Sequence, residues 1–188
     1  MAERAFRRAR RESLSQIEWR PGMKVLLVGA GTGLDLPWLP EDVALHATDL
    51  SPAMVKRLNR RADALGRTVH TAEMDAERLA YADGEFDVVV MHLIVAVMPD
   101  PARGLAEAHR VLKGGGQLCV MDKFQPDARP AGIARRAMNT LTTAIATDIT
   151  RRARPLLEGA GFVIERDTPV LLGSLVRALV ARKPASDA

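Results

Sequence analysis

The chain has 188 residues, 47% of them hydrophobic and 27% charged, and carries a net charge of +4. That length supplies one domain with a full core and is too short for two ordinary ones. A single cysteine, Cys119, excludes a disulfide scaffold and a multi-cysteine site, and no apolar run approaches the ~20 residues that span a bilayer.

In chain order, apolar runs alternate with helical patterns, which predicts a parallel sheet with crossover helices. Residues 1–19 form a basic stretch whose apolar side is Phe6, Leu14, Ile17 and Trp19. Val25 to Val28 is wholly apolar, as in a central strand buried on both faces. Val43 to Thr48 is the next strand. Ser51-Pro52 then reads as an N-cap followed by proline at the first helical position, opening a helix that runs to Leu65 and stops at Gly66.

Further strands are predicted near Thr68 to Thr71 and from Phe86 to Met91. Asp100-Pro101 starts a helix ending near Lys113, before Gly114-Gly115-Gly116 and a strand from Gln117 to Met121. Residues 131–149 carry Ala134, Ala137, Met138, Leu141, Ala144, Ile145 and Ile149 at helical spacing. A helix from Arg152 to Glu158 and strands around Phe162 to Glu165 and Leu175 to Ala181 complete a doubly wound α/β fold with a seven-stranded, mostly parallel sheet. The expectation is a single domain over 1–188, with a basic N-terminal helix over 1–19. An insertion over 126–151 is expected to form a helical lid or substrate cap over the carboxyl ends of the strands.

The motif that bears chemistry is Gly29-Ala30-Gly31-Thr32-Gly33, directly after the first strand. Glycines allow a sharp turn and a close approach of backbone to ligand. A dinucleotide fingerprint would need glycine at position 34, which is Leu34, and no GK[ST] follows for a phosphate loop. Asp49 closes the second strand, where a carboxylate can accept hydrogen bonds from both hydroxyls of a ribose. Met74-Asp75-Ala76 follows the third strand, and Phe86-Asp87-Val88-Val89-Val90 is the fourth. Arg110-Val111-Leu112-Lys113 precedes the fifth.

Together, from about Met23 to Lys183, these residues resemble the class I S-adenosylmethionine-dependent methyltransferases. The resemblance implies a Rossmann-like methyltransferase fold and S-adenosylmethionine as cofactor. Gly29, Ala30, Gly31 and Gly33 would lie under its methionine part. Asp49 would bind the ribose, with Leu50 and Met54 beside the adenine. Asp75 would meet the adenine amino group, with Met74 or Ala76 supplying backbone contacts, and Met91 to Leu93 would lie near the sulfonium. The chain departs from the family in having Leu27 where an acid is usual, Gly114-Gly115-Gly116 where Pro-Gly-Gly is usual, and no tyrosine in its N-terminal segment.

His92, at the end of the fourth strand, and Asp122 are the expected bases for an amine acceptor, and His92 is also placed for substrate contact. His46, His70 and His109 show no ligand spacing, so no metal is expected, and Ser174 lacks the second glycine of a hydrolase elbow. Arg129, Arg135, Arg136, Arg151, Arg152 and Arg154 suit phosphate, with Arg135, Arg136, Arg151 and Arg152 the expected substrate contacts.

Val95-Ala96-Val97-Met98-Pro99-Asp100-Pro101 is similar to a stretch of the bacterial phosphatidylethanolamine N-methyltransferases, and quinone C-methyltransferases share much of the surrounding pattern. The expected activity is therefore methylation of a phospholipid amine. A quinone ring, another small molecule, or a non-catalytic partner role are the alternatives. The arginine-rich N-terminus lacks the apolar stretch of a secretory signal, so a cytoplasmic location is expected. Residues 1–19 are expected to touch an anionic membrane surface. An aromatic fraction of 4% argues against a nucleic-acid partner.

Overall fold

The computed structural model describes residues 2–123, 153–171 and 175–185. The predicted cap over 126–151 and Ser174 lie outside these residues. Helix α1 (Ala2–Leu14) comes first. Strands β1 (Lys24–Val28), β2 (Ala44–Asp49), β3 (Val69–Glu73), β4 (Phe86–His92) and β5 (Leu112–Lys123) follow. Helix α2 (Pro52–Ala64) joins β2 to β3, and α3 (Pro101–Val111) joins β4 to β5. Helix α4 (Ala153–Gly159) leads into β6 (Val163–Leu171) and β7 (Val176–Arg182).

The seven strands form one sheet in the order β3-β2-β1-β4-β5-β7-β6, parallel except that β7 runs against both its neighbours. Alternation along β1 explains the layering. Val25 and Leu27 point to a core with Leu14, Leu36, Leu58 and Ala62. Leu26 and Val28 point to the other core, with Leu105, Ala108 and Leu157. Helices α1 and α2 therefore cover one face, and α3 and α4 the other. Strand order reverses between β1 and β4, and in such sheets the carboxyl ends at that point form the ligand crevice.

Three local expectations change. Strand β5 starts at Leu112, five residues before Gln117, because the glycines are accommodated as an irregularity: Phe86 pairs with Leu112, and Val88 already pairs with Gln117. Gly115 takes φ +77 there, and a Cβ on Gly116 would lie 2.9 Å from the Lys113 carbonyl oxygen. Ser51 does not cap α2 with its side chain; instead its backbone N–H donates to Asp49 Oδ1 at 2.9 Å. Strand β6 extends to Leu171 because it pairs with β7 along its length.

Helix α1 is not a free amphipathic helix. Ala9, Ser13 and Leu14 are buried, and the helix packs on β5, β6, β7 and the 3-10 turn Leu36–Trp38. Arg4, Arg7, Arg8 and Arg11 form its exposed side.

The loop after β1 turns through Gly29, Gly31 and Gly33 at φ +64, +56 and +75, in the left-handed region that strongly favours glycine. A Cβ on Gly33 would lie 2.6 Å from Leu58 Cδ1, whereas one on Gly31 would meet no heavy atom within 4 Å. Gly33→Ala should therefore combine backbone strain with overpacking and cost about 2–4 kcal/mol, against about 1 kcal/mol for Gly31→Ala. Urea unfolding of the two variants checks the ranking, and equal losses would contradict it.

Candidate cofactor site

Asp49 organises the start of the site. It closes β2, and its Oδ2 accepts the Gly31 N–H at 2.8 Å while Oδ1 accepts the Ser51 N–H at 2.9 Å. One half-buried carboxylate thus ties the glycine loop to the first turn of α2, and each oxygen retains lone-pair capacity for a further donor. Asp75, after β3, is exposed, and its Oδ1 accepts the Glu77 N–H at 2.9 Å.

A cavity of about 280 Å³ lies at the carboxyl ends of the strands. Of the residues expected from sequence, Gly29, Asp49, Leu50, Met74, Asp75 and Ala76 line it together. Leu50 is 67% exposed at its rim, an apolar surface suited to a flat ring. Ala30, Gly31, Gly33, Met54 and Met91 do not line it. Gly33 packs behind the loop on Leu58 and Leu36, and Met91 is buried in the core beneath.

The opposite wall is the turn after β4: Leu93, Ile94, Val97, Met98 and Pro99, with Glu77 beside them. Leu93 takes φ 61, unusual for a branched residue, and its N–H donates to the Met121 carbonyl at 2.7 Å. Ile94 fills the space that a Cβ on Gly29 would occupy, so the turn rests directly against the glycine loop. The residues expected near the sulfonium ended at Leu93 and so left out Ile94, while Val97, Met98 and Pro99 stood out only as part of a family-like stretch; an apolar turn after a strand at the switch point is the signal that marks all four as cavity residues.

The two expected bases stand elsewhere. His92 is buried and faces away from the cavity lining: its Nδ1 donates to Asp35 Oδ1 at 2.8 Å, and its Nε2 lies 3.1 Å from Ser13 Oγ. Ser13 Oγ lies 3.2 Å from Cys119 Sγ, whose thiol donates to the Ser13 carbonyl at 3.7 Å. Arg10 Nη1 donates to Asp35 Oδ2 at 2.7 Å.

Burial opposes charge on the imidazole, but the Asp35 carboxylate outweighs it and raises His92 to about 9. Burial likewise pushes Asp35 up, and the attraction of His92 and then Arg10 overcomes this to hold it at about 2. At neutral pH His92 is therefore a clamped imidazolium rather than a base facing an acceptor. Asp122 is also buried, which pushes its carboxyl up. It accepts the Ala96 N–H at 2.9 Å and the Lys123 N–H at 2.7 Å, so it braces the turn after β4. Arg135, Arg136, Arg151 and Arg152 lie outside the described residues, and Arg154 pairs with Glu158 on α4.

The ion cluster predicts a pH dependence with a definite sign. A raised histidine stabilises fully below its unfolded value of 6.5, and that stabilisation is lost as pH rises through about 9. The lowered Asp35 contributes above 3.8 and loses its effect as pH falls through about 2. Unfolding free energy should drop by on the order of 2–3 kcal/mol between pH 6.5 and 9.5, and His92→Gln should remove most of that drop. Urea titrations across this range check it; parallel curves for the two proteins would contradict it.

A methyltransferase domain family matches residues 26–120, half of the chain. The chain is 34% identical over 131 residues to a phosphatidylethanolamine N-methyltransferase of Cereibacter sphaeroides, covering 69% of this chain and 64% of that protein. It is 35% identical over 122 residues to a demethylmenaquinone methyltransferase of Beutenbergia cavernae, covering 64% of this chain and 49% of that one. The chain thus spans about half to two thirds of the length of these relatives. The crystal structure of the [4+2]-cyclase SpnF shares the fold, with a TM-score of 0.81 at 21% identity over 96% of this chain and 82% of that one. The glycine loop, the acid at the end of β2 and the sheet order agree with these matches: this chain belongs to the class I S-adenosylmethionine-dependent methyltransferase family.

Proposed function

We propose that this chain transfers a methyl group from S-adenosylmethionine to the amine of a phospholipid headgroup, phosphatidylethanolamine being the leading acceptor. The observation that carries the cofactor part is the single cavity shared by Gly29, Asp49 and Asp75. Its lining fits the molecule: a carboxylate to accept from two ribose hydroxyls, the exposed Leu50 for a purine face, and a second carboxylate to accept from an exocyclic amine. Asp49, Asp75 and Glu77 also place negative charge beside a cationic ligand. When bound, S-adenosylmethionine supplies the sulfonium methyl as electrophile, so this chain contributes alignment and exclusion of water. Asp49 and the glycine loop would fix the nucleoside, and Leu93, Ile94 and Val97 would keep the acceptor end dry.

Support for a lipid acceptor comes from the name of the Cereibacter relative and from the apolar wall of the turn after β4. The match to a demethylmenaquinone methyltransferase supports a second reading, methylation of a quinone ring. The reading includes a cytoplasmic protein peripheral to an anionic membrane. Arg4, Arg7, Arg8 and Arg11 border an open depression of about 330 Å³ with Trp38, and Arg7 and Arg11 lie 5.9 Å from its ring centroid. Because the apolar side of α1 is buried in the core, such contact would be electrostatic and salt-sensitive rather than insertion into the acyl layer.

Titration with S-adenosylhomocysteine should show affinity falling about 30-fold or more in Asp49→Ala and less in Asp75→Ala, since Asp49 serves both ligand and loop. Unchanged affinity in Asp49→Ala would overturn the ribose assignment. For the acceptor, methyl-labelled S-adenosylmethionine with a total lipid extract should place label in the phospholipid fraction. Label in the quinone fraction would move the reading to carbon methylation. No label in the organic phase while cofactor binding is intact would contradict a lipid acceptor.

A further inference from the structure

We propose that Asp35 is a positioning residue for the cofactor cavity: through His92 and Arg10 it locks α1 to both walls of the cavity, so that cofactor binding and docking of α1 are linked. The proposal deepens the cofactor reading above and rests on it. Asp35 does not line the cavity. It lies two residues past Gly33, behind the glycine loop, and His92 immediately precedes Leu93, where the opposite wall begins. The 2.8 Å contact between Asp35 and His92 therefore joins the two walls directly, from the side a ligand does not reach.

Helix α1 grips this joint at two points. Arg10 binds the second Asp35 oxygen at 2.7 Å, and Ser13 meets the far nitrogen of His92 at 3.1 Å. The contact continues through apolar side chains. Ala9 packs with Met121 and Val176, and Phe6 and Leu93 pack against that cluster. Leu93 thus touches the α1 side through packing while lining the cavity.

The chemistry of the cluster argues for positioning rather than simple adhesion. Apolar side chains of similar volume can hold a helix at least as well as buried ions, whose desolvation is expensive. This cluster keeps two cations and one anion in the interior, and Arg10 Nε has no hydrogen-bond partner among the described residues. What ions give, and apolar contact does not, is fixed direction. The glycine loop needs it, because three glycines at positive φ leave the backbone many alternatives when no ligand is bound. Asp49 fixes the loop at Gly31, and Asp35 fixes its far end. A ligand that favours the ordered loop must then favour docked α1, and docked α1 must favour the ligand to the same degree.

Hydrogen exchange and calorimetric titration with S-adenosylhomocysteine test the proposal on the full chain. In wild type, the ligand should slow exchange of the amides in residues 4–14 by about tenfold. In Asp35→Asn that slowing should vanish and the dissociation constant should rise by about tenfold. Should Asp35→Asn fail to fold, Arg10→Met and Arg10→Lys test the same link from α1: the first should weaken ligand binding, and the second should restore much of it. Variants with a lowered unfolding midpoint but an unchanged dissociation constant and an unchanged α1 response would show a merely structural cluster and overturn the proposal. No binding by wild type would instead overturn the cofactor reading on which it stands.

Discussion

Asp35 sits where three segments far apart in sequence meet: α1, the loop after β1 and the end of β4. Its two oxygens are used by Arg10 and His92, at 2.7 and 2.8 Å, inside an environment that excludes water. A lone carboxylate in that place would be pushed toward its neutral form, so Asp35 depends on its two cationic neighbours, and His92 on Asp35, for charge. Much of the site's geometry follows from that dependence. The glycine loop is held from behind, the turn after β4 is held at its first residue, and α1 closes over both.

Around this joint the sheet does the coarse placement. Parallel strands with helices on both faces bring the ends of β1, β2, β3 and β4 to one edge, and the reversal of order between β1 and β4 opens the crevice there. Asp49 and the segment 74–76 reach the cavity because they follow their strands at that edge. The two walls differ in chemistry. Carboxylates lie at the β2 and β3 ends, with Glu77 beside the opposite turn, and the turn after β4 offers mostly branched and sulfur-containing apolar side chains. That division is what the proposed pairing of a polar, cationic cofactor with an apolar acceptor would need.

Much of the fold was legible because its signals are local. Val25 to Val28 reads as a central strand from its unbroken apolar run, and Asp100-Pro101 reads as a helix start from two residues; Asp100 does accept the Arg103 N–H. Six of the residues expected around the cofactor share one cavity for the same reason, since Gly29, Asp49 and Asp75 occupy strand ends set by sequence order. The buried position of His92 was not legible because its partner, Asp35, lies 57 residues upstream, and no local pattern reveals a pairing across strands. The lone acid in Leu34-Asp35-Leu36-Pro37-Trp38 was the available hint, because an acid inside an apolar run is either a turn or a buried charge awaiting its counter-ion. Likewise the arginines of α1 could be read as one exposed face, but not that Arg10 alone among them turns inward, which only the packing of Ala9, Ser13 and Leu14 decides.

The chain, then, carries a cavity with Asp49 at its polar end and a buried ion cluster joining the two segments that form its walls, and we propose that the first holds the cofactor and the second aligns it. A crystal structure with S-adenosylhomocysteine bound tests that account most directly. It should show both ribose hydroxyls on Asp49, the adenine against Leu50, the sulfur near Leu93, and Asp35 still joined to His92 and Arg10. A nucleoside bound away from Asp49, or bound there with α1 displaced and the Asp35 cluster broken, would contradict it.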